Sequence, residues 1–546
     1  MFTRDAEPES GNTITIVIKF FDEQKIQHAV ASPMPKRRDA EWSALRAEIK
    51  DKWGGELVAR SVFQSTALAD IELLKTVARQ RSEKAGIKYA PPQFQNYLSL
   101  VYRVAATDSV VDPYKRELEL AQVAERIIKT VSSWSDIEQS YLRPQDFDPG
   151  LRPMARPVKF DAPDTDPNHV KQSHLLDAPL GVGVQSLWRY EGADGAGQRF
   201  VDIERGWKLS HKDLANKAGQ ARVQMIPGAG VISTGRFNIW HGTCVLGIVC
   251  AAHNGTDVIG MAPRLASMQV LSYVDAAYVA NTADAVMHAA AQQIERDVTA
   301  VIGRERRQPT TVRNNVVMLI EAHALPERQR FYFPVEIYPE TFDVIALATH
   351  AGITVIEPAG NGRVPDDEID PQHRSAVDLD RMNEFIQPAL AWKKPPRSLF
   401  RGALNKRPPA PRNGLSAFAD SGAIMVACAE HVEGTPRDWT RSRVSNFGTR
   451  IDCFAAGEGV FTLDAGGGNG PDFSGTSSAS AIVAGAALCL QGVALAHTGQ
   501  PFAPAQLREA LSDVDCGTPS IDASNDKIAV MPDLMKIAEK KFVAGG

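Results

Sequence analysis

Residues 472–488 read DFSGTSSASAIVAGAAL, and the apolar run continues to Ala496. Alanines, valines and leucines with glycines interspersed predict a helix buried on every side, its small residues letting it pack closely. The start of the run is different: Gly475, Thr476 and Ser477 stand at its mouth. Thr476 or Ser477 suits an N-cap, and Gly475 permits a tight turn and close approach by another chain. A hydroxyl in that place sits where free backbone N–H groups and the helix dipole favour negative charge. The run is long enough to tempt a membrane reading. Ser480, Gln491 and the dominance of small residues over Leu and Ile favour a core helix, and no membrane association is expected.

Upstream of this helix, short apolar runs alternate with longer helical patterns. The runs are RFVDI (199–203), SMQVLSYV (267–274), NNVVMLI (314–320), GITVIEPAGN (352–361) and GAIMVACA (422–429). That alternation predicts an α/β fold, a mainly parallel central sheet flanked by helices. Chemistry in such sheets gathers at the carboxyl ends of the strands.

The first part of the chain reads as a separate α+β domain, residues 1–142. Ile14, Ile16, Ile18 and Phe20 alternate as in a half-buried strand. Trp42, Leu45, Ile49 and Trp53 fall at helical spacing and end at Gly54-Gly55. Residues 56–63 read as a second strand, 67–80 as an extra helix, 98–104 as a third strand, 120–131 as a helix face and 137–142 as a fourth strand. The order β-α-β, β-α-β is the ferredoxin-like split arrangement. Residues 143–180 read as a linker, rich in Pro and Asp and without periodicity as far as Pro167. Residues 181–546 form the second domain, with an insertion at about 363–415 rich in Asp, Pro and Arg.

The chain has 546 residues, 44% hydrophobic and 23% charged, with a net charge of -5, so no basic excess points to nucleic acid. The six cysteines lack metal-ligand spacing and read as free thiols in a reducing compartment. The N-terminal residues show no apolar secretory segment, and a cytoplasmic location is expected.

Four stretches carry candidate chemistry: FVDIERGW (200–207), WHGTCVLGIVCAA (240–252), VIEPAGNGR (355–363) and SGTSSASAIVAG (474–485). Each alone is weak, since a strand-end Asp is usually a cap and most histidines pack or lie at the surface. Together they supply a set. A serine is a poor nucleophile until a base takes its proton, and the base must be held in one tautomer by a carboxylate. The tetrahedral oxyanion then needs donors, a backbone N–H and a side-chain amide. Asp202, His241 and Ser477 fill the triad roles in a known chain order, and Asn361 the amide role.

These stretches resemble the subtilisin-like serine proteases, the subtilases. HGT resembles their histidine motif, GTSxA before an apolar helix their serine motif, and AGN their oxyanion asparagine motif. SNFGTRIDCFAAGEGV (445–460) resembles the family's SN-x-G segment, and PDL (532–534) its C-terminal end. The likeness runs from about Gly181 to Ile537. It implies hydrolysis of peptide bonds in a protein or peptide substrate, by a serine endopeptidase that works through an acyl-enzyme. It also implies a prosegment role, inhibitor or folding aid, for the N-terminal domain.

The departures are specific. The family follows its aspartate with Ser or Thr and then Gly, whereas Ile203 and Glu204 follow Asp202. It has Pro where Ala481 stands. Its substrate-pairing strand ends in Ser-Leu-Gly, where this chain has Ile320, Glu321 and Ala322; with Ala359 and Gly360 these are the expected substrate-binding residues. The altered strand leaves an alternative, a pseudoprotease that binds peptides without cutting them. No cofactor is required and no metal site is expected. Calcium could bind Asp366, Asp367, Glu368 and Asp370, although EF-hand spacing is missing and a solvated acidic loop explains them as well. Cys244 reads as a packing thiol.

Overall fold

The computed structural model describes residues 13–22, 34–104, 113–143, 166–274 apart from 217, 229, 231, 233 and 234, then 280–302, 315–325, 331–363, 376–381, 420–466 and 469–543. The acidic residues 366–370 and most of the expected linker and insertion lie outside the described residues.

The N-terminal part runs β1 (Thr13–Phe20), α1 (Asp39–Trp53), β2 (Glu56–Ser61), α2 (Leu68–Lys84), β3 (Tyr97–Arg103), α3 (Pro113–Ser132) and β4 (Ile137–Arg143). Its four strands form an antiparallel sheet in the order β2-β3-β1-β4, as the split arrangement requires. One face carries Ile16, Ile18, Phe20, Leu98 and Leu100 and packs on Trp42, Leu45, Ile49, Val123, Ile127 and Val131 of the two helices. Gly54 ends α1 in the left-handed region, φ 71°.

The expectation of a half-buried sheet holds for the first face alone. Thr15, Val17 and Lys19 are buried too. The second face rests on the larger body, so its polar residues find partners there or beside it: Lys19 Nζ lies 3.2 Å from Glu138 and 3.9 Å from Asp343.

The larger body follows as α4 (Val184–Leu187), β5 (Arg199–Glu204), β6 (Val223–Met225), α5 (Arg236–Cys250), β7 (Ser267–Ser272), α6 (Thr282–Ile302), β8 (Val316–Ile320), β9 (His323–Ala324), β10 (Phe331–Pro334), α7 (Pro339–His350), β11 (Thr354–Pro358), β12 (Gly362–Arg363), β13 (Ile424–Val432), β14 (Thr435–Arg441), β15 (Cys453–Ala456), β16 (Val460–Leu463), β17 (Asn469–Phe473) and α8 (Thr476–Thr498). The central sheet has the order β14-β13-β11-β8-β5-β7-β6, with β15 also on β13. All its pairings are parallel except the β13–β14 hairpin. Helices α5 and α8 pack together on one side, and α6 and α7 together on the other.

Helix α8 has the length and hydropathy of a membrane span, yet 89% of its most apolar window is buried inside the protein. It lies across β8, β11, β13 and β15 as a core helix. Gly485 shows why its residues are small: a β-carbon there would come within 2.8 Å of the Met261 Cβ.

The chain is already packed on the larger body at Asp166, ahead of the expected boundary at residue 181. Gln172 is buried, accepting from the Ile259 N–H and donating to the Ile259 carbonyl. All six cysteines are buried, and none forms a disulfide.

Candidate active site

Ser477 is the second residue of α8 and is wholly buried. The turn before it depends on Gly475, φ 89°, whose N–H donates to the Gly457 carbonyl at 2.7 Å. The N–H and hydroxyl of Thr476 both donate to Asn361 Oδ1 at 2.8 Å. Asn361 follows β11 through Ala359 and Gly360, and its place next to the start of α8 comes from that pair of bonds. Asn446 of the SN-x-G segment holds the turn from behind, its Nδ2 donating to the carbonyls of Ala359 at 2.8 Å and Tyr332 at 2.7 Å. Gly360 has φ 101°, and a β-carbon there would lie 2.5 Å from Asn446 Nδ2.

His241 sits in the second turn of α5 with its ring edge-on to Phe473, centroids 5.0 Å apart. Its Nδ1 is 2.5 Å from Glu204 Oε2, and both side chains are buried. Glu204 Oε1 accepts from the Arg205 N–H at 2.9 Å. Asp202 is two residues earlier on β5 and is engaged elsewhere: Trp207 Nε1 donates to its Oδ2 at 2.7 Å. Burial lifts the Asp202 carboxyl to about 7. Burial, then the charge of Asp202, pushes the Glu204 carboxyl well above the usual carboxylate range. The 2.5 Å contact holds the imidazole by its Nδ1 and fixes the ring's orientation.

Ile320 ends β8, Glu321 and Ala322 follow it, and all three are fully buried, as is Ala359. The Glu321 N–H donates to the Ile203 carbonyl at 2.9 Å, so Glu321 stands next to the acid-bearing end of β5. From His323 onward the chain pairs with itself: β10 is antiparallel to both β9 and β12. This small sheet joins the end of the expected substrate strand to the residues after Asn361. His323 is fully buried, its Nε2 3.3 Å from the Thr476 hydroxyl. Burial, and then His241, lowers its pKa to about 3, so its ring is neutral.

The profile of the Subtilase family matches residues 203–515, more than half of the chain. The chain belongs to the subtilase family. It is 30% identical over 142 residues to the alkaline elastase YaB of Bacillus sp. (strain YaB), covering 24% of this chain and 36% of that protein. The chain thus spans about a third of the length of that curated relative. Among solved structures it is similar to fervidolysin from Fervidobacterium pennivorans, described as a keratinolytic enzyme related to subtilisin. That likeness has 13% identity and a TM-score of 0.46, over 97% of this chain and 61% of that one. It is also similar to a protease from Pseudoalteromonas arctica PAMC 21717, with 18% identity and a TM-score of 0.40, over 69% of this chain and 99% of the other.

Subtilase motifs clarify the one clear mismatch. His241, Asn361 and Ser477 come from α5, from the end of β11 and from α8; the Thr476 bonds join the last two, and α5 packs on α8. The expectation that Asp202 is the acid facing His241 is corrected: Glu204 occupies that place. The two are on the same side of β5, since strand residues alternate, but Glu204 is at the carboxyl end and the Trp207 indole takes Asp202. The signal was in the sequence. The family's acid is followed by one residue and a glycine, and Glu204-Arg205-Gly206 has that spacing whereas Asp202-Ile203-Glu204 does not. His323 had no such signal, because only the fold of the loop after β8 brings it to Thr476.

Proposed function

We propose that this protein is a serine endopeptidase whose triad is Glu204, His241 and Ser477, with Asn361 as oxyanion donor. The observation that carries the reading is the 2.5 Å contact between Glu204 Oε2 and His241 Nδ1. A carboxyl on Nδ1 leaves Nε2 as the basic nitrogen. His241 then takes the Ser477 proton as Oγ attacks the scissile carbonyl carbon. The Ser477 N–H, at the start of α8, and the Asn361 amide stabilise the oxyanion. Collapse breaks the C–N bond, the amine leaves with the proton from His241, and water hydrolyses the acyl-enzyme by the reverse sequence. The reaction draws on no cofactor.

The same reading makes the N-terminal domain an intramolecular inhibitor or folding aid. Its support is a polar interface: Tyr97 donates to Asp343 Oδ2 at 2.8 Å, Tyr141 to Glu340, and the Ser65 hydroxyl to Asp284 Oδ2 at 2.7 Å. The segment that would be cut, between about Arg143 and Pro167, lies almost wholly outside the described residues. Six buried cysteines outside any disulfide suit the cytoplasmic location that belongs to this reading.

Labelling with a fluorophosphonate, with the adduct located by mass spectrometry, tests the enzyme reading. Labelling at Ser477, lost in Ser477→Ala, supports it. An unlabelled, folded protein that still binds peptide makes the chain a binding module. The N-terminal domain, added in trans to a trimmed enzyme, should inhibit it; no inhibition would remove the prosegment role and leave the peptidase intact.

A further inference from the structure

Glu321 stands where the family has a small or apolar residue, and its side chain is fully buried. Its Oε1 is 2.5 Å from the Ser480 hydroxyl, and that same hydroxyl is 3.0 Å from the Ser477 carbonyl oxygen. A serine hydroxyl has one proton. An ionised Glu321 would bury its charge with that hydroxyl as donor to Oε1 and nothing on Oε2. With a proton on Glu321 Oε1, the acid donates to Ser480, Ser480 donates to the Ser477 carbonyl, and each group is satisfied. The other carboxyl oxygen, Oε2, is buried without a hydrogen-bond partner, and so is the Ser477 hydroxyl.

We propose that Glu321 is a neutral positioning residue of the active site, clamping the first turn of α8 through Ser480. The proposal rests on the peptidase reading above. The groups around Glu321 agree with a neutral acid. Asp202 and Glu204 approach from β5 and Ser477 and Ser480 from α8, while His241 on α5 meets Glu204 and His323 on β9 meets Thr476. Burial first, then Glu204, raises the Glu321 pKa well above the carboxylate range, with Asp202 adding to it; Ser480 and Ser477 oppose the rise. Ionisation would put a negative charge beside the place where the oxyanion forms, and that charge opposes the transition state.

The consequence is an alkaline limb in the activity profile set by Glu321. Glu321→Gln keeps the shape and the hydrogen bond to Ser480 but cannot ionise. Whatever its kcat at neutral pH, it should hold that value to higher pH than wild type holds its own. Glu321→Ala removes the clamp and should lower kcat about tenfold with little change in KM, the size of one lost hydrogen bond. Thermal unfolding of each variant separates misfolding from a kinetic effect, and if Glu321→Ala fails to fold the Gln profile decides. A Gln variant with the wild-type alkaline limb overturns the proposal, as does a folded Ala variant with wild-type kcat. Fluorophosphonate labelling of the wild type keeps the two readings apart: if Ser477 does not label, the peptidase reading fails, whatever Glu321 does.

Discussion

Gly242 leaves no space between α5 and Glu204: a β-carbon on Gly242 would lie 2.7 Å from the Glu204 Cγ and 2.3 Å from the Gly206 carbonyl oxygen. The glycine after the histidine therefore sets how closely helix and strand end approach, and through that the 2.5 Å contact of His241 with Glu204. Gly242→Ala is expected to destabilise the fold by about 1–3 kcal/mol, as overpacking does, and to lower activity further than the loss of folded protein explains. Thermal unfolding and kcat on the same preparation check this; a fully active, equally stable variant would show that the contact tolerates a wider gap.

Glu204 and Asp202 can be told apart directly. Glu204→Gln should lower kcat by about 10⁴-fold, the loss seen when the orienting acid of a serine protease becomes an amide. Asp202→Asn, which keeps an acceptor for the Trp207 indole, should lose far less. Steady-state kinetics of the pair decide it, and the opposite ranking would return the triad role to Asp202.

Asn361→Ala should reduce kcat by roughly 10²–10³-fold with KM nearly unchanged, the effect of losing one oxyanion donor in subtilisin. It also strips the acceptor from the Thr476 N–H and hydroxyl, so a small drop in melting temperature should accompany it. An unchanged kcat would move the donor role to another group.

His174 gives a pH-dependent stability. It is buried, neither ring nitrogen has a hydrogen-bond partner among the described residues, and burial, with His169 nearby, depresses its pKa from 6.5 to about 3. Above pH 6.5 neither folded nor unfolded chain holds the proton and nothing is lost. Between 6.5 and 3 only the unfolded chain takes it, so stability falls as pH falls, by roughly 1 kcal/mol per pH unit. His174→Leu should flatten the decline in melting temperature over that window while leaving the value at pH 8 little changed. An equally steep decline in the variant would assign the acid sensitivity to other groups.

Asp284 tests the interface. It accepts from the Ser65 N–H at 3.1 Å and hydroxyl at 2.7 Å, and hydrogen bonds to a charged group carry about 1.5–3 kcal/mol. Asp284→Ala in the trimmed enzyme should weaken inhibition by the added N-terminal domain about 10- to 100-fold without altering kcat. An unchanged inhibition constant would show that the domain acts through other contacts.

The sequence by itself determined the elements and most of the site. Short apolar runs, alternating in the N-terminal part, marked the strands, and the small residues behind Ser477 favoured a core helix over a membrane span. The N-terminal order of strands and helices was legible because each helix shows one apolar stripe, Trp42–Leu45–Ile49 or Val123–Ile127–Val131. What the tertiary structure alone decided were choices between neighbours. Asp202 and Glu204 share a strand face, and only the Trp207 indole at 2.7 Å from Asp202 and His241 at 2.5 Å from Glu204 tell them apart. Thr15 and Lys19 alternate with isoleucines as solvent-facing residues do, and they are buried because a second body covers that face. Local periodicity reports which side of an element is apolar. Which polar side chains meet each other, and which are shut away from water, depends on segments far apart in the chain. Residues 204, 241, 321 and 477 have no local pattern in common, and only the packing of α5 and α8 on the same side of the sheet joins them.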